Sequence, residues 1–130
     1  MDEWVNRCEW LADHPPDSRI DLTFQFGDLM AEMVGDWKIG ELAFTLHREL
    51  LRRGIEKYTL HWLTKAYRFA RAWPDPVDRQ TIKDYGLSLT SAKALSVEKK
   101  RFQLLAKVRS GEIKPPYRFE DRYRSKRSRP

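Results

Sequence analysis

The segment from Thr59 to Trp73 has the pattern of an amphipathic helix, and it constrains the fold of this chain more than any other feature. At about 100° of rotation per residue, the apolar residues fall on one half of the helix: Trp62, Leu63, Ala66, Tyr67, Phe69, Ala70 and Trp73. The polar residues form a narrower stripe on the other half: His61, Thr64, Lys65, Arg68 and Arg71. Such a helix buries its aromatic face and presents cations outside. The stripe fits either an ordinary solvated surface or a helix that contacts a polyanion.

The same spacing of apolar positions runs through most of the chain and predicts an all-α, multi-helix fold. We expect helices over residues 2–13, 19–34, 37–53, 59–73, 77–84 and 97–110, with a short helix near residue 90. Several of these segments end at residues that terminate helices: Pro15, Gly35, Gly54, Pro74 and Gly111. Ser88 or Thr90 can cap the short helix by accepting a hydrogen bond from a backbone N–H.

The apolar stripes also predict which side chains form the core. In the first three helices the predicted core residues are Trp4, Cys8, Leu11, Leu22, Phe26, Leu29, Met30, Met33, Ile39, Leu42, Ala43, Leu46 and Leu50. In the last helix they are Phe102, Leu105 and Val108. We also expect Trp62 and Trp73 to be buried, because both lie on the apolar face of segment 59–73.

The length of 130 residues fits one helical domain followed by a tail. We place the domain at residues 1–113, with a helix-turn-helix at about 39–73, and a basic tail, expected to be flexible, at 114–130. Cys8 is the only cysteine, so neither an intramolecular disulfide nor a cysteine-based zinc site is expected. Apolar runs of at most three residues and an acidic start argue against a membrane span and a signal peptide. We therefore expect a cytoplasmic protein that binds no cofactor and no metal.

Charge is distributed unevenly along the chain. Residues 1–50 contain 4 Lys and Arg against 11 Asp and Glu, a net charge of −7, whereas residues 51–130 contain 21 against 8, a net charge of +13. The last nine residues carry five positive charges and no negative one: Arg122, Arg124, Lys126, Arg127 and Arg129. Such a separation either neutralises itself within the fold or presents a positive surface to a polyanion such as a nucleic acid.

Two stretches of the basic half resemble the central DNA-binding domain of ParB-type partition proteins. Leu63–Pro74, with the pattern LxxxYRFAR before a proline, is similar to that family's recognition helix but has one extra residue ahead of the proline. Gly86–Ile113, GLSLTSAKALSVEKKRFQLLAKVRSGEI, is similar to the family's helix-capping segment and the helix after it. Ser91 stands there where the family often has His, and Lys93 where it has Arg. The resemblance implies a helix-turn-helix that binds duplex DNA, in plasmid or phage partition or in transcription regulation.

The same stretches are similar to the helix-turn-helix domain that precedes a PD-(D/E)xK nuclease domain in YhcG-like bacterial proteins. Trp37–Leu42, WKIGEL, resembles the opening motif of that family. The sequence contains no counterpart of the nucleotide-binding arginine box of ParB-type proteins or of the nuclease domain. The resemblance therefore implies neither CTP binding nor cleavage, and what it carries over is a module that reads DNA.

A basic stripe on a helix can contact DNA phosphates and the base edges of a major groove. The residues that we predict to contact DNA are Lys57, Thr59, His61, Thr64, Lys65, Arg68, Arg71, Thr90, Lys93, Arg124, Lys126 and Arg127. The lysines and arginines suit phosphates, whereas Thr59 and His61 lie near the helix N-terminus and suit base edges. The arginines of the tail fit the DNA backbone or the minor groove. The resemblance implies contact residues at Thr59, His61, Lys65 and Arg68.

Three other functions remain open. RNA binding is the nearest, although the aromatic residues are spaced for burial on a helix rather than for stacking on bases. A protein-binding regulator is the second, because acidic residues beside Trp4 and Trp10 could dock a basic partner or a second copy. We expect a homodimer involving helices near the N-terminus, since helix-turn-helix proteins usually bind DNA as two-fold dimers. An enzyme is disfavoured, because the three histidines lack metal-ligand spacing and the chain has no phosphate-binding glycine loop.

Overall fold

The computed structural model describes residues 2–121 of the chain. Its helices are α1 (Asp2–Asp13), α2 (Arg19–Val34), α3 (Ile39–Arg52), α4 (Leu60–Ala72), α5 (Pro76–Asp84), α6 (Leu89–Ser96) and α7 (Arg101–Ser110). Residues 119–121 begin a further helical turn. No strand occurs in the part of the chain that the structure describes, so the predicted all-α fold is confirmed. The predicted ends of α1 to α5 agree with the structure to within two residues.

The prediction of one helix over residues 97–110 is wrong at its start. α6 ends at Ser96 and α7 begins only at Arg101, because two consecutive turns separate them. The backbone N–H of Glu98 donates to the carbonyl of Leu95 at 3.0 Å, and that of Arg101 donates to the carbonyl of Glu98 at 3.2 Å. At the other end of α6, the cap predicted at Ser88 or Thr90 is Ser88.

The buried face of α7 is also displaced from the predicted one. Leu105 and Val108 are buried as expected, but the third buried position is Leu104 rather than Phe102. Phe102 lies about 110° around the helix from the centre of this stripe, at about 100° per residue, and is 46% exposed. The edge of its ring still contacts Trp73, with 5.6 Å between the ring centroids.

The chain divides into two compact units, with the boundary between Arg71 and Ala72. The buried core of the first unit consists of Val5, Cys8, Leu11, Ala12, Phe26, Met30, Met33, Leu42, Ala43, Leu46, Leu50, Tyr58, Leu63 and Ala66. Four predicted core residues, Trp4, Leu22, Leu29 and Ile39, are only partly buried and pack against it. The apolar spacing did not predict Phe24, which is buried because α2 is covered on more than one side.

The second unit contains α5 to α7 around a smaller core. Its buried apolar residues are Trp73, Ile82, Leu87, Ala92, Leu95, Leu104, Leu105, Val108 and Phe119. Arg109 joins α7 to α5, because its guanidinium donates to the carboxylate of Asp78 at 2.6 Å and to the hydroxyl of Thr81 at 2.9 Å. The hydroxyl of Tyr85 donates to the backbone carbonyl of Arg109 at 3.1 Å.

Phe119 lies within the segment predicted as tail, residues 114–130, but it is only 4% exposed. Its backbone N–H donates to the hydroxyl of the buried residue Ser91 at 3.2 Å. This part of the predicted tail is therefore packed into the second unit. No local pattern could indicate this packing, because the contact spans 28 residues.

α2 and α4 approach each other closely at Gly27. A Cβ built on Gly27 would lie 2.5 Å from the Cβ of Ala70 and would overlap the backbone carbonyl of Ala66. Real Cβ atoms do not tolerate such distances, so the two helices can pack in this way only because α2 has a glycine and α4 has alanines at the contact. Protein interiors are packed too densely for the helices to absorb an added methyl group without moving.

We expect Gly27→Ala to lower the free energy of unfolding by about 1–3 kcal/mol, because overpacking forces the backbones of α2 and α4 apart. Gly40→Ala is the matched control, since a Cβ on Gly40 of α3 meets no described atom within 4 Å. That change should stabilise the protein by up to about 1 kcal/mol through lower chain entropy. Urea unfolding measures the free energy of unfolding of both variants, provided that the slope m against urea concentration stays constant. Equal effects of the two substitutions would show that the close approach is not required.

Cys8 lies in the core of the first unit and is fully buried. Burial raises the pKa of its thiol from 9.0 to about 12, and the nearby charge of Arg7 acts in the opposite direction. The thiolate is the nucleophilic form of cysteine. Cys8 is therefore a structural residue rather than a reactive one at neutral pH.

The raised pKa predicts an alkaline loss of stability. Below pH 9 the Cys8 thiol is protonated in both states, whereas between pH 9 and 12 the unfolded chain loses the proton that the folded protein keeps. The free energy of unfolding should fall by up to about 1.4 kcal/mol per pH unit in that window. Urea unfolding from about pH 8 to about pH 10 should show a smaller decline for Cys8→Ala than for the parent. Parallel pH profiles would contradict the buried-thiol assignment.

Candidate nucleic-acid interface

The polar stripe predicted on segment 59–73 lies on the outside of α4. His61, Lys65, Arg68 and Arg71 are all exposed, and we call these four residues the basic row. The opposite side of α4 is buried, and Trp73, just after the helix, is fully buried as predicted. From His61 to Arg71 the row covers ten steps of about 1.5 Å each, or about 15 Å of helix axis.

The cations of the basic row have no ion-pair partner among residues 2–121. No carboxylate of the described chain forms an ion pair with Lys65, Arg68 or Arg71. Other arginines of the same unit have such partners, and the pairs are Arg7–Glu32 at 3.1 Å, Arg52–Glu49 at 2.8 Å and Arg53–Glu9 at 2.8 Å. Part of the negative charge of the first fifty residues is thus paired with these arginines. The positive charge of the basic row stays available to an external anion.

Aromatic contacts fix the N-terminal half of α4. Trp62 packs edge-on against Phe26 of α2 with 5.3 Å between ring centroids, and its ring lies 4.8 Å from that of Tyr58. Phe26 and Tyr58 are themselves 4.6 Å apart, so the three rings form one cluster. Trp62 is partly buried, and so lies at the edge of the core rather than inside it.

A second aromatic contact fixes the C-terminal half of α4. The ring of Phe69 stacks on that of Phe24 with 4.5 Å between centroids and 12° between the ring planes. Aromatic pairs contribute about 0.5–1.5 kcal/mol beyond the area that they bury. With the contact at Gly27 between them, these anchors hold the helix along its length and so fix the backbone that carries the basic row.

Of the three threonines predicted to contact DNA, Thr59 and Thr64 make hydrogen bonds to the backbone of α4. The hydroxyl of Thr59 accepts from the backbone N–H of Trp62 at 3.0 Å and so caps the N-terminus of α4. The hydroxyl of Thr64 donates to the carbonyl of Leu60 at 3.0 Å, and Thr64 is half-buried. Thr59 and Thr64 therefore stabilise α4, which makes them weaker candidates for DNA contact than the basic row.

The connection between α3 and α4 is two residues longer than the segment 54–58 that the predicted helix bounds leave between them. It covers residues 53–59, whereas the turn of a helix-turn-helix usually has three or four residues. Gly54 ends α3 as predicted, with φ at 79°. The N–H of Gly54 binds Leu51 O at 3.0 Å and that of Ile55 binds Leu50 O at 2.9 Å, which is a Schellman motif. Lys57 lies exposed in this connection, before the basic row.

The remaining predicted contact residues belong to the other half of the chain. Thr90 is exposed and Lys93 is half-buried, and both lie on α6 of the second unit. Arg124, Lys126 and Arg127 lie outside the described residues. The residues that the structure brings together on one surface are therefore those of the basic row.

A second surface feature is a groove of about 560 Å³ beside α1 and α2, which sequence reasoning did not locate. Its lining residues are Arg7, Trp10, Leu11, Gln25, Asp28, Leu29 and Glu32. Trp10 is 61% exposed, and its ring stacks on that of His14 with 4.5 Å between centroids. At about 100° per residue, Trp10 falls on the side of α1 opposite its buried residues, and this placement is the signal that could have identified it.

Residues 2–121 contain no group of three or more His, Cys, Asp or Glu side chains that could hold a metal ion. None of the helices within this range is both long enough and apolar enough to cross a bilayer. No protein-family model, curated protein or solved structure matches the chain.

Proposed function

We propose that this protein binds duplex DNA through the basic row of α4. The observation that supports the proposal is the exposure, on one side of a well-anchored helix, of three cations without a carboxylate partner in the described chain. A solvated surface needs no such anchoring. A helix that recognises DNA does need it, because its side chains must reach phosphates and base edges with little further loss of freedom.

The dimensions of the row suit a major groove, which is about 12 Å wide and admits one α-helix. Arg68 lies near the centre of the row, where its guanidinium could donate two hydrogen bonds to the O6 and N7 of a guanine. Lys65 and Arg71 lie on either side of it and suit the phosphates of the two groove edges. His61 lies in the first turn of α4, where the helix dipole also favours a phosphate.

The resemblance of Leu63–Pro74 and Gly86–Ile113 to ParB-type proteins supports a role as a plasmid or phage partition adaptor or as a transcriptional regulator, acting in the cytoplasm. The seven-residue connection between α3 and α4 departs from the usual helix-turn-helix, so the proposal depends on the row rather than on the motif. We include a homodimer in the proposal, because two copies of one recognition helix bind two half-sites.

The groove beside α1 and α2 favours one alternative, a regulator that binds another protein. An exposed tryptophan at the rim of an apolar groove is a common anchor in protein interfaces. Because α1 to α3 share their core with α4, deletion of residues 1–50 would unfold the first unit. Trp10→Ala is therefore the change that tests this alternative, and loss of a protein partner with unchanged DNA affinity would support it.

We expect the double variant Lys65→Ala, Arg68→Ala to fold normally and to bind duplex DNA more weakly. Removal of Arg68 alone should cost about 1–3 kcal/mol if it contacts a base edge. Removal of a side chain that binds a phosphate should reduce the slope of log affinity against log salt by about 0.9. Fluorescence anisotropy on random-sequence duplexes over a salt series measures the affinity and its salt dependence. Selection of the bound sequences tests specificity.

The charge-matched control is Arg7→Ala, Arg19→Ala, which removes two exposed arginines of the same unit from α1 and α2. It should leave the salt slope unchanged. Equal reductions of affinity in the two double variants would mean that only total charge matters, and the site assignment would then be wrong. Preference for single-stranded RNA over the duplex would favour the RNA alternative.

A further inference from the structure

The outer face of α3 carries apolar side chains where a solvated helix would carry polar ones. The name "outer face of α3" denotes Glu41, Phe44, Arg48, Leu51 and Arg52. With a rotation of about 100° per residue, these five residues fall within a sector of about 100° of the helix circumference. The opposite side of α3 holds its fully buried residues. Phe44 is 55% exposed and Leu51 is 44% exposed, so about half of the surface of this apolar pair is left uncovered by the described chain.

The face is also arranged in two parallel rows. Phe44 and Leu51 lie along one edge of the sector, and Glu41 and Arg52 lie along the other. In the charged row, Glu41 lies in the first turn of α3 and Arg52 is its last residue, whereas in the apolar row Phe44 lies near the middle of the helix and Leu51 lies in its last turn. The acidic residue is at the N-terminal end of its row and the basic residue is at the C-terminal end.

We propose that the outer face of α3 is a two-fold interface with a second copy of this chain, in which the two α3 helices pack antiparallel. The midpoint of Phe44 and Leu51 and the midpoint of Glu41 and Arg52 fall within one residue of each other, or about 1.5 Å along the axis. One two-fold axis near His47 therefore brings Phe44 against Leu51 of the second copy and Glu41 against Arg52 of the second copy.

The two rows also match their counterparts on the second copy in the direction perpendicular to the helix axis. A two-fold axis that lies in the contact plane and crosses the helices at right angles keeps each edge of one helix opposite the same edge of its mate. Apolar residues then meet apolar residues and charged residues meet charges of opposite sign. A surface with this property is self-complementary, as an isologous interface requires.

The two arginines of this face are compatible with the arrangement. Arg52 pairs with Glu49 of its own helix at 2.8 Å, and such exposed pairs within a helix contribute little, so the guanidinium can also bind a second carboxylate. Arg48 lies nearest the axis, with its guanidinium 6.0 Å from the centre of the Phe44 ring and 4.0 Å from the carboxylate of Glu49. The carboxylate of Glu49 lowers the net charge of each copy at the point where the two copies of Arg48 come closest.

The interface is small. A stable interface buries about 800 Å² on each partner, and one face of a 14-residue helix offers less. We therefore expect a monomer–dimer equilibrium with a dissociation constant in the micromolar range or above. The proposal does not depend on DNA binding, and the experiment that tests it contains no DNA, so it can fail while the proposed contact between the basic row and DNA stands, and the reverse is also true.

Sedimentation equilibrium of the full chain, from about 1 µM to about 1 mM, tests the proposal. The parent should dimerise, and Glu41→Arg or Arg52→Glu alone should each weaken the dimer by about tenfold, because each variant places like charges at both pairs. An equimolar mixture of the two variants should restore the parent affinity, since the mixed dimer has opposite charges at both. Glu112→Arg, the same charge change at an exposed residue after α7, is the control.

Phe44→Ser should also weaken the dimer, and circular dichroism checks that the helices remain. A parent that stays monomeric up to about 1 mM would overturn the proposal. So would a mixture of Glu41→Arg and Arg52→Glu that associates no more tightly than either variant alone. If Phe44→Ser and both charge variants dimerise as tightly as the parent, the interface lies elsewhere, and this result would overturn the proposal as well.

Discussion

The first unit depends on the close contact of α2 with α4 at Gly27. The missing side chain lets the carbonyl of Ala66 and the methyl of Ala70 come nearer than any other residue would allow. That separation in turn sets where Phe24 can stack on Phe69 and where Phe26 can meet Trp62. One small residue thus determines the position of a whole helix, and with it the position of the charges that the helix carries outside.

The electrostatic organisation of the chain follows from how its charges are paired. Three acidic residues of α1 to α3, Glu9, Glu32 and Glu49, form ion pairs with arginines of the first unit, so part of the negative charge of these helices is locally compensated. α4 has no acidic residue of its own, and none of the described carboxylates pairs with its cations. An anion that approaches α4 therefore displaces no internal partner, so binding there would not break an existing ion pair.

Local patterns predicted most of the fold. The helices α1 to α5 combine a regular apolar spacing with a proline or glycine at an end, and both signals come from neighbouring residues. The outward direction of His61, Lys65, Arg68 and Arg71 followed in the same way, because the aromatic side of the helix had to be buried. The positions of α7 and of Phe102 did not follow, since residues 97–100, Val-Glu-Lys-Lys, contain no proline or glycine that would have marked the turn between α6 and α7.

Features that depend on distant residues could not be predicted from one sequence. The burial of Phe119 requires Ser91, and the close approach at Gly27 requires two alanines some forty residues later. The exposure of Phe44 and Leu51 could have been inferred, because both fall opposite the predicted stripe of α3. The roles of Thr59 and Thr64 within α4 were missed because a hydroxyl near a helix start suits a cap as well as a ligand.

The position of Phe119 has a consequence for where this chain can be cut. Phe119 is buried in the second unit and follows two consecutive prolines. The backbone of residues 111–118 therefore connects α7 to a buried anchor residue. A protease that cut between residues 111 and 118 would separate Phe119 from the rest of the second unit, although α1 to α7 would all still be intact. Any shortened form of the protein should therefore retain the chain through residue 121.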